Sequence, residues 1–471
     1  MKKYILLLIG LTLMTSCSDF IEHEPQSSVN SEDAFNNLND FENALNGVYF
    51  EQVASGGYYG GMLQGFDVMT DNLLISRAGL FSQERRHDWT YDSNSGFSGY
   101  LANCYKVIYD ANSILQNLSK LEDSPEKDNI KGQALGARAL AHFDIVRYFG
   151  QTPKQSDDAE ETWAMPYVFT ADITNTPARI RVDTYYGLIV DDLMEAETLI
   201  SDSNGVYQLG KDAINTILAR TYLYMEEWQK AIDAANEVLT PVAERSQFVG
   251  VWNDSNEDGV IFKLRNDDTS DITLGSVFNQ TTANGIRDEY VPDFAFYSQY
   301  LDTDIRKTAY FLTSDFSGTR YNHIIKWYSS VSTQALGVVD AKVLRAAEVY
   351  LTKAEAQAEL NFDGQALSSL DEVRSRRYNN FISGGETGNT LKDAIQRERR
   401  LELAFEGMRF SDIKRKRESI VRSDFGDEFD GSGTSATVKT LDATSYKFQT
   451  PIPIEEISIN GNMRQNPGYG N

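Results

Sequence analysis

The sequence predicts a mainly α-helical protein, in which alanine-rich helix pairs form a scaffold, long irregular loops are inserted between them, and strands are minor. Three observations predict it. Apolar residues recur at helical spacing through several long segments. Small residues stand where successive helices would touch. Two stretches, 56–100 and 249–337, carry no sustained periodicity and are rich in Gly, Asn, Asp and aromatics. Loops of that length inside a compact protein are functional or disordered, and their aromatic content argues against disorder.

The chain opens with Lys2 and Lys3 and a mostly apolar run, Tyr4 to Leu13, too short to span a bilayer as a helix. The run closes in Leu13-Met14-Thr15-Ser16-Cys17, which resembles a bacterial lipobox with Cys17 as the acylated residue. The expected organisation is a lipoprotein signal peptide over 1–16, a lipidated tether over 17–30, and a single helical domain over 31–471. A secreted protein with an incidental cysteine is the alternative. Acyl chains on Cys17 would anchor the protein, since each buried methylene adds about 0.8 kcal/mol.

Within the domain, Leu38, Phe41, Ala44, Leu45, Val48 and Tyr49 keep helical spacing. A helix over Gln133 to Tyr148 ends at Phe149-Gly150 and Pro153, and another begins at Asp183. Residues 211–239 and 344–374 each resemble a tetratricopeptide pair, with Ala213, Ala219, Ala231 and Ala235 in the first and Ala347, Ala354, Ala358 and Ala366 in the second. Their spacing has no fixed period, so no regular solenoid is expected. With Cys17 acylated, only Cys104 remains, and its helical pattern with Leu101, Tyr105 and Ile108 makes it a core residue.

The net charge is −25, and loss of Lys2 and Lys3 makes it −27. Such a surface repels nucleic acid and anionic lipid, so no nucleic-acid partner is expected. Glu398, Glu402 and Glu406 would share one helix face beside Arg399, Arg400 and Arg409, an arrangement that keeps carboxylates ionised and braces a scaffold. A glycosidase needs instead two acids facing across a cleft, one with a raised pKa. Asp254, Asn256, Asp258 and Gly259 copy the start of a calcium loop, but the twelfth position is Arg265, so a polar turn is expected there. Asp424-Phe425-Gly426 lacks the companions of a kinase motif, and the scattered histidines lack metal-ligand spacing. No catalytic residue, cofactor or metal site is expected.

Several segments, in order, carry a family resemblance. They are the lipobox at Cys17, Gln133 to Phe143 closed by Arg147-Tyr148-Phe149-Gly150, and the pair around Ala213 to Leu239. After these come Leu344 to Leu351, Ile395 to Lys414 with Glu398-Arg399-Arg400-Leu401-Glu402, and the tail Pro451-Ile452-Pro453-Ile454 to Gln465-Asn466-Pro467-Gly468. Together they resemble the SusD/RagB glycan-binding lipoproteins. The resemblance implies a non-enzymatic protein, lipid-anchored on the outer-membrane cell surface. Such a protein binds oligosaccharide or polysaccharide and delivers it to a SusC-like TonB-dependent transporter. A structural lid, or a peptide-capturing partner of the transporter, is the alternative; a surface hydrolase is disfavoured by the absence of paired acids.

Sugar binding needs flat apolar faces and a few placed polar groups. The early loop holds Asp71, Arg77, Trp89, Tyr91, Asp92 and Asn94, and the family draws a tryptophan and polar residues from this region. Trp89 is the first choice and Asn94 the second. The second irregular region adds Tyr290 and Trp327. For any one of these rings, packing into the core is the competing role.

Overall fold

The computed structural model describes residues 34–53, 58–94, 97–155, 162–266, 274–276, 278–328 and 337–470. The expected signal peptide, Cys17 and the tether to Asn30 lie outside the described residues. Helices dominate. The principal ones are α1 (Leu38–Val53), α2 (Ser98–Asn117), α3 (Pro125–Phe149), α4 (Val182–Leu199), α5 (Lys211–Met225), α6 (Trp228–Asn236), α7 (Ala346–Glu359), α8 (Asp363–Arg374), α9 (Gly388–Glu402) and α10 (Arg409–Lys416).

Helix α3 starts where Ser124 caps it, its side chain accepting from Lys127 N, with Pro125 in the first turn, where a missing N–H costs nothing. From Gln133 to Phe149 every residue is buried, so this helix has no solvent face and its neighbours pack around it. The array then runs in chain order, α2 on α3, α3 on α4, α4 on α5, α5 on α6, and α6 across to α7. The tight turn between α5 and α6 is made by Glu226 at φ +58, and that between α7 and α8 uses Asn361 at φ +61. Buried alanines line both pairs. Cys104 is fully buried inside α2, and burial pushes its thiol well up.

Two expectations are corrected here. The stretch 56–100 is not irregular throughout, because Tyr58–Asp67 is a helix. Gly60, Gly61 and Gly65 weaken its intrinsic propensity, but buried Met62 and Phe66 hold it to the core. The run Ile395 to Lys414 is not one helix. Helix α9 ends at Glu402, and the bend before α10 places Phe405 at φ +65 and Gly407 at φ +71. A β-carbon on Gly407 would sit 3.1 Å from Met62 Cγ and 3.3 Å from its carbonyl oxygen, so the close approach suits glycine. Glu406 therefore leaves the helix that carries Glu398 and Glu402.

Among the described residues the strands form two-stranded antiparallel ladders. β1 (Leu73–Ile75) pairs with β3 (Tyr290–Pro292), β2 (Val260–Leu264) with β6 (Ala341–Arg345), and β4 (Phe311–Phe316) with β5 (Thr319–Ile324). The β4–β5 hairpin turns at Ser317 and Gly318, both with positive φ, the backbone that a two-residue hairpin of right-handed twist requires. β1 and β3 join the two otherwise separate loop regions, and this ladder positions the site.

Candidate functional site

Residues 76–94 leave β1 as a long loop held on its inner side by β3. Ser76 N donates to Glu289 O, and the Glu289 carboxylate accepts from Leu80 N at 2.8 Å and Ser82 N at 3.2 Å. Gly79 lets the chains touch, since a β-carbon there would lie 2.8 Å from Asp288 O. Phe81, Gln83 and Trp89 all take left-handed backbone, at φ +59, +62 and +53. Each such non-glycine residue costs on the order of 1–3 kcal/mol and persists only where its surroundings dictate it.

A second loop, residues 423–437, lies against the first. The Asp427 carboxylate accepts from Arg77 N at 2.8 Å and from Thr434 N at 2.7 Å, tying the two loops together. Ser423 N is held by Asp293 Oδ2, and Phe429 N by Arg320 O. Between the loops runs a narrow cleft of about 40 Å³, whose walls include Arg77, Phe81, Glu84, Asp88, Thr434 and Ser435. Phe81 is 37% exposed, with the Arg77 guanidinium 5.5 Å from its ring centroid, and Leu80, Phe425 and Phe429 are exposed nearby in the same loops. An open aromatic face ringed by hydroxyls, carboxylates and a guanidinium can stack a polyol ring and bond its hydroxyls.

The SusD family model matches residues 297–469, and a second model, described as starch-binding associating with outer membrane, matches residues 19–223. The chain belongs to the SusD family. SusD-like protein P2 of Formosa agariphila is 26% identical over the full length of both chains. The starch-binding protein SusD of Bacteroides thetaiotaomicron is 33% identical over 152 residues, 31% of this chain and 26% of that one. A SusD superfamily protein of Bacteroides vulgatus superposes with a TM-score of 0.80 at 25% identity, over 93% of this chain and 100% of that one. Another, from Bacteroides thetaiotaomicron, shares the fold with a TM-score of 0.79 at 23% identity, over 91% and 99%.

In this SusD-family chain the residues singled out from the sequence divide sharply. Arg77, Asp92 and Asn94 reach the surface, with Asp92 paired to Arg85 at 2.8 Å and accepting from Asn94 N. The rings do not. Trp89 is 5% exposed, its indole N–H is spent on Met69 O at 2.9 Å, and the Arg422 guanidinium covers its face at 4.0 Å. Tyr91 is fully buried and donates to Lys447 O, Tyr290 is buried and donates to Ser82 O, and Trp327 is buried and donates to Phe405 O. Asp71 is buried as well; burial pushes its carboxyl up, but Arg400 and Arg409 at 3.2 and 2.8 Å hold it well below the usual carboxylate range. The expectation that Trp89, Tyr91, Tyr290 and Trp327 offer open faces is thus corrected. A large ring beside a polar loop buries its apolar area once a partner from elsewhere in the chain covers it.

The carboxylate cluster is an ion-pair network. Glu402 accepts from Arg377 at 2.9 and 3.0 Å, Arg345 at 2.9 Å and Arg306 at 3.2 Å, while Glu406 takes Arg345 and Lys326 at 2.6 Å. Burial pushes the Glu402 carboxyl up, but these guanidiniums hold it well below its usual range. The calcium-like Asp254 instead ties its turn to the start of β6, accepting from Asp340 N and Lys342 Nζ. Among the described residues no group of three His, Cys, Asp or Glu could hold a metal ion.

Sequence reasoning missed Phe81, Glu84, Asp88 and the whole 423–437 loop. A signal existed: Phe425 and Phe429 stand within a Gly- and Asp-rich run, Asp424 to Gly433.

Proposed function

We propose that this protein is a cell-surface, lipid-anchored binding protein. It holds oligosaccharide at the cleft between residues 76–94 and 423–437, and passes it to a SusC-like TonB-dependent transporter of the outer membrane. The observation that carries the reading is Phe81: an exposed ring with Arg77 beside it, set in left-handed backbone on a pinned loop. The names of the relatives, a starch-binding protein among them, supply the ligand class. The role is binding and hand-over, with no bond made or broken. Strain kept at Phe81 fits a residue placed for contact rather than for packing. Cys17 provides the anchor in this reading.

Affinity electrophoresis and calorimetry of the purified protein against plant, host and microbial glycans test it. One glycan class should bind, and Phe81→Ala should weaken that binding about 2- to 12-fold, the worth of a stacked aromatic at roughly 0.5–1.5 kcal/mol. Binding that is indifferent to both Phe81→Ala and Arg77→Ala would remove the cleft from the proposal. Co-purification of a TonB-dependent transporter, and loss of palmitate labelling in Cys17→Ser, check the partner and the anchor.

A further inference from the structure

A larger concavity, about 490 Å³, lies on a different part of the described surface and shares no lining residue with the loop cleft. Its walls include Gln151 just beyond α3, Trp163 and Arg179 from the segment before α4, and Gln449, Asn462 and Arg464 from the C-terminal tail. Backbone pairing and side chains bonded to backbone hold these walls in place. Ala164 N donates to Ile180 O, and Trp163 bridges Arg181. Asn460 and Asn462 donate to Pro177 O and Thr176 O, each at 2.8 Å, clamping the tail to the same segment. The Arg179 guanidinium spans both walls, donating to Ala164 O at 2.6 Å, Trp163 O at 3.0 Å and Arg464 O at 3.1 Å.

Two features of this cavity have no structural use among the described residues, and a third, Arg179, holds the walls through carbonyls while its charge meets no carboxylate there. Trp163 is 41% exposed, a large ring left open to solvent on a cavity wall. Gln449 Nε2 and Gln151 Oε1 are buried yet make no hydrogen bond, although buried polar atoms almost always find partners. Arg179 is buried and faces carbonyls only. The scaffold arginines Arg138, Arg147, Arg220 and Arg415 each meet a carboxylate, whereas Arg179 meets none among the described residues. Burial holds its guanidinium down at about 10, with Tyr105 opposing weakly. Arg464 adds a second cation at the rim. Among the described residues that line it there are two arginines and no acid, in a chain of net charge −25.

We propose that this cavity is a second ligand site, for a carboxylated sugar unit of the uronate type. Trp163 supplies the platform for the sugar ring. Gln151 offers an acceptor and Gln449 a donor, and a hydroxyl, which both donates and accepts, can meet either. The sugar carboxylate is drawn toward Arg179 and Arg464, because a guanidinium pairs with a planar carboxylate better than with a neutral hydroxyl. The inference rests on the glycan-binding reading for its ligand class and takes none of its residues from the loop cleft.

Calorimetry on the detergent-solubilised full-length protein, with tetragalacturonate and with maltotetraose as probes, tests it. Tetragalacturonate should bind, Trp163→Ala should weaken it at least tenfold, and Arg464→Gln should weaken it severalfold while sparing any maltotetraose binding. Phe81→Ala should leave the acidic probe within about twofold. Equal thermal midpoints for wild type and both cavity variants make the losses attributable to contact. No binding of tetragalacturonate to wild type, or binding unchanged in Trp163→Ala, overturns the second site. If glycans of the wider panel still bind through Phe81 in that case, the loop-cleft reading stands without it. If no glycan binds at all, both readings fall.

Discussion

Glu402 and Asp92 are both carboxylates beside arginines, and the molecule uses them in opposite ways. Glu402 is fully buried and meets Arg306, Arg345 and Arg377 at once, whereas the Asp92 side chain is 50% exposed and pairs with Arg85 at the surface. Around Glu402 the buried charges are matched to one another, because an unpaired ion out of water costs several kcal/mol. On the loop face water does the matching, and rigidity comes from backbone bonds such as Arg77 N to Asp427. The scaffold therefore tolerates little change in the residues that pair, while the loop face can alter the groups it shows and keep its shape. A binding surface carried on such a frame can change ligand without refolding.

The strongest way to break this comparison is Glu402→Ala. It strands Arg377 and takes one carboxylate from Arg306 and Arg345, which keep Asp304 and Glu406, and the expected loss is about 3–5 kcal/mol in urea denaturation. A loss below about 1 kcal/mol would mean that water already reaches the network. Trp89→Ala comes next, with an expected loss of about 3–5 kcal/mol from an emptied aromatic site. A variant of wild-type stability with lost glycan affinity would restore Trp89 to the ligand.

Lys414 sharpens the scaffold side. It is buried, donates to Arg147 O and Gly150 O, and meets no carboxylate among the described residues, so burial alone brings its ammonium down to about 7. Between that value and its ordinary 10.5 the unfolded chain binds more protons than the folded one. Stability therefore rises with pH across this window, and the destabilisation is full below it. Lys414→Met should flatten the rise by up to about 1.4 kcal/mol per pH unit, read from denaturation midpoints at pH 7 to 10. Lys326, also brought down to about 7 by burial, leaves a residual slope.

The smallest effect has the most to say about the loop face. Phe81→Gly should gain about 1 kcal/mol of stability, because glycine accepts φ +59 without strain, while glycan affinity falls. If stability and affinity fall together, Phe81 is a packing residue.

Much of the helical frame was readable from spacing alone. Gln133 to Tyr148 and the break at Glu226-Glu227 fall where periodicity and turn residues place them, and the break expected over Asn361 to Gly364 is confined to residues 360–362, since the next helix starts at Asp363. The helix at Tyr58–Asp67 was hidden by its glycines, and the end of α9 by an unbroken helical pattern through Glu406. Within the early loop, spacing and composition favour the largest ring, Trp89, and the fold buries it. Trp89 and Phe81 look equally available on paper, and Arg422, more than 330 positions away, covers only one of them.

What the sequence determined by itself was local: the helical periods, the acidic balance and the ordered motifs of the family. These depend on neighbours within a few residues, where spacing sets geometry. The tertiary structure decided which rings are covered, which loops face each other and which arginines find carboxylates. Glu402 reaches Arg306 across 96 positions, and Arg77 reaches Asp427 across 350. Burial and ion pairing are properties of proximity in space, and only the folded chain brings such distant positions within a hydrogen bond of one another.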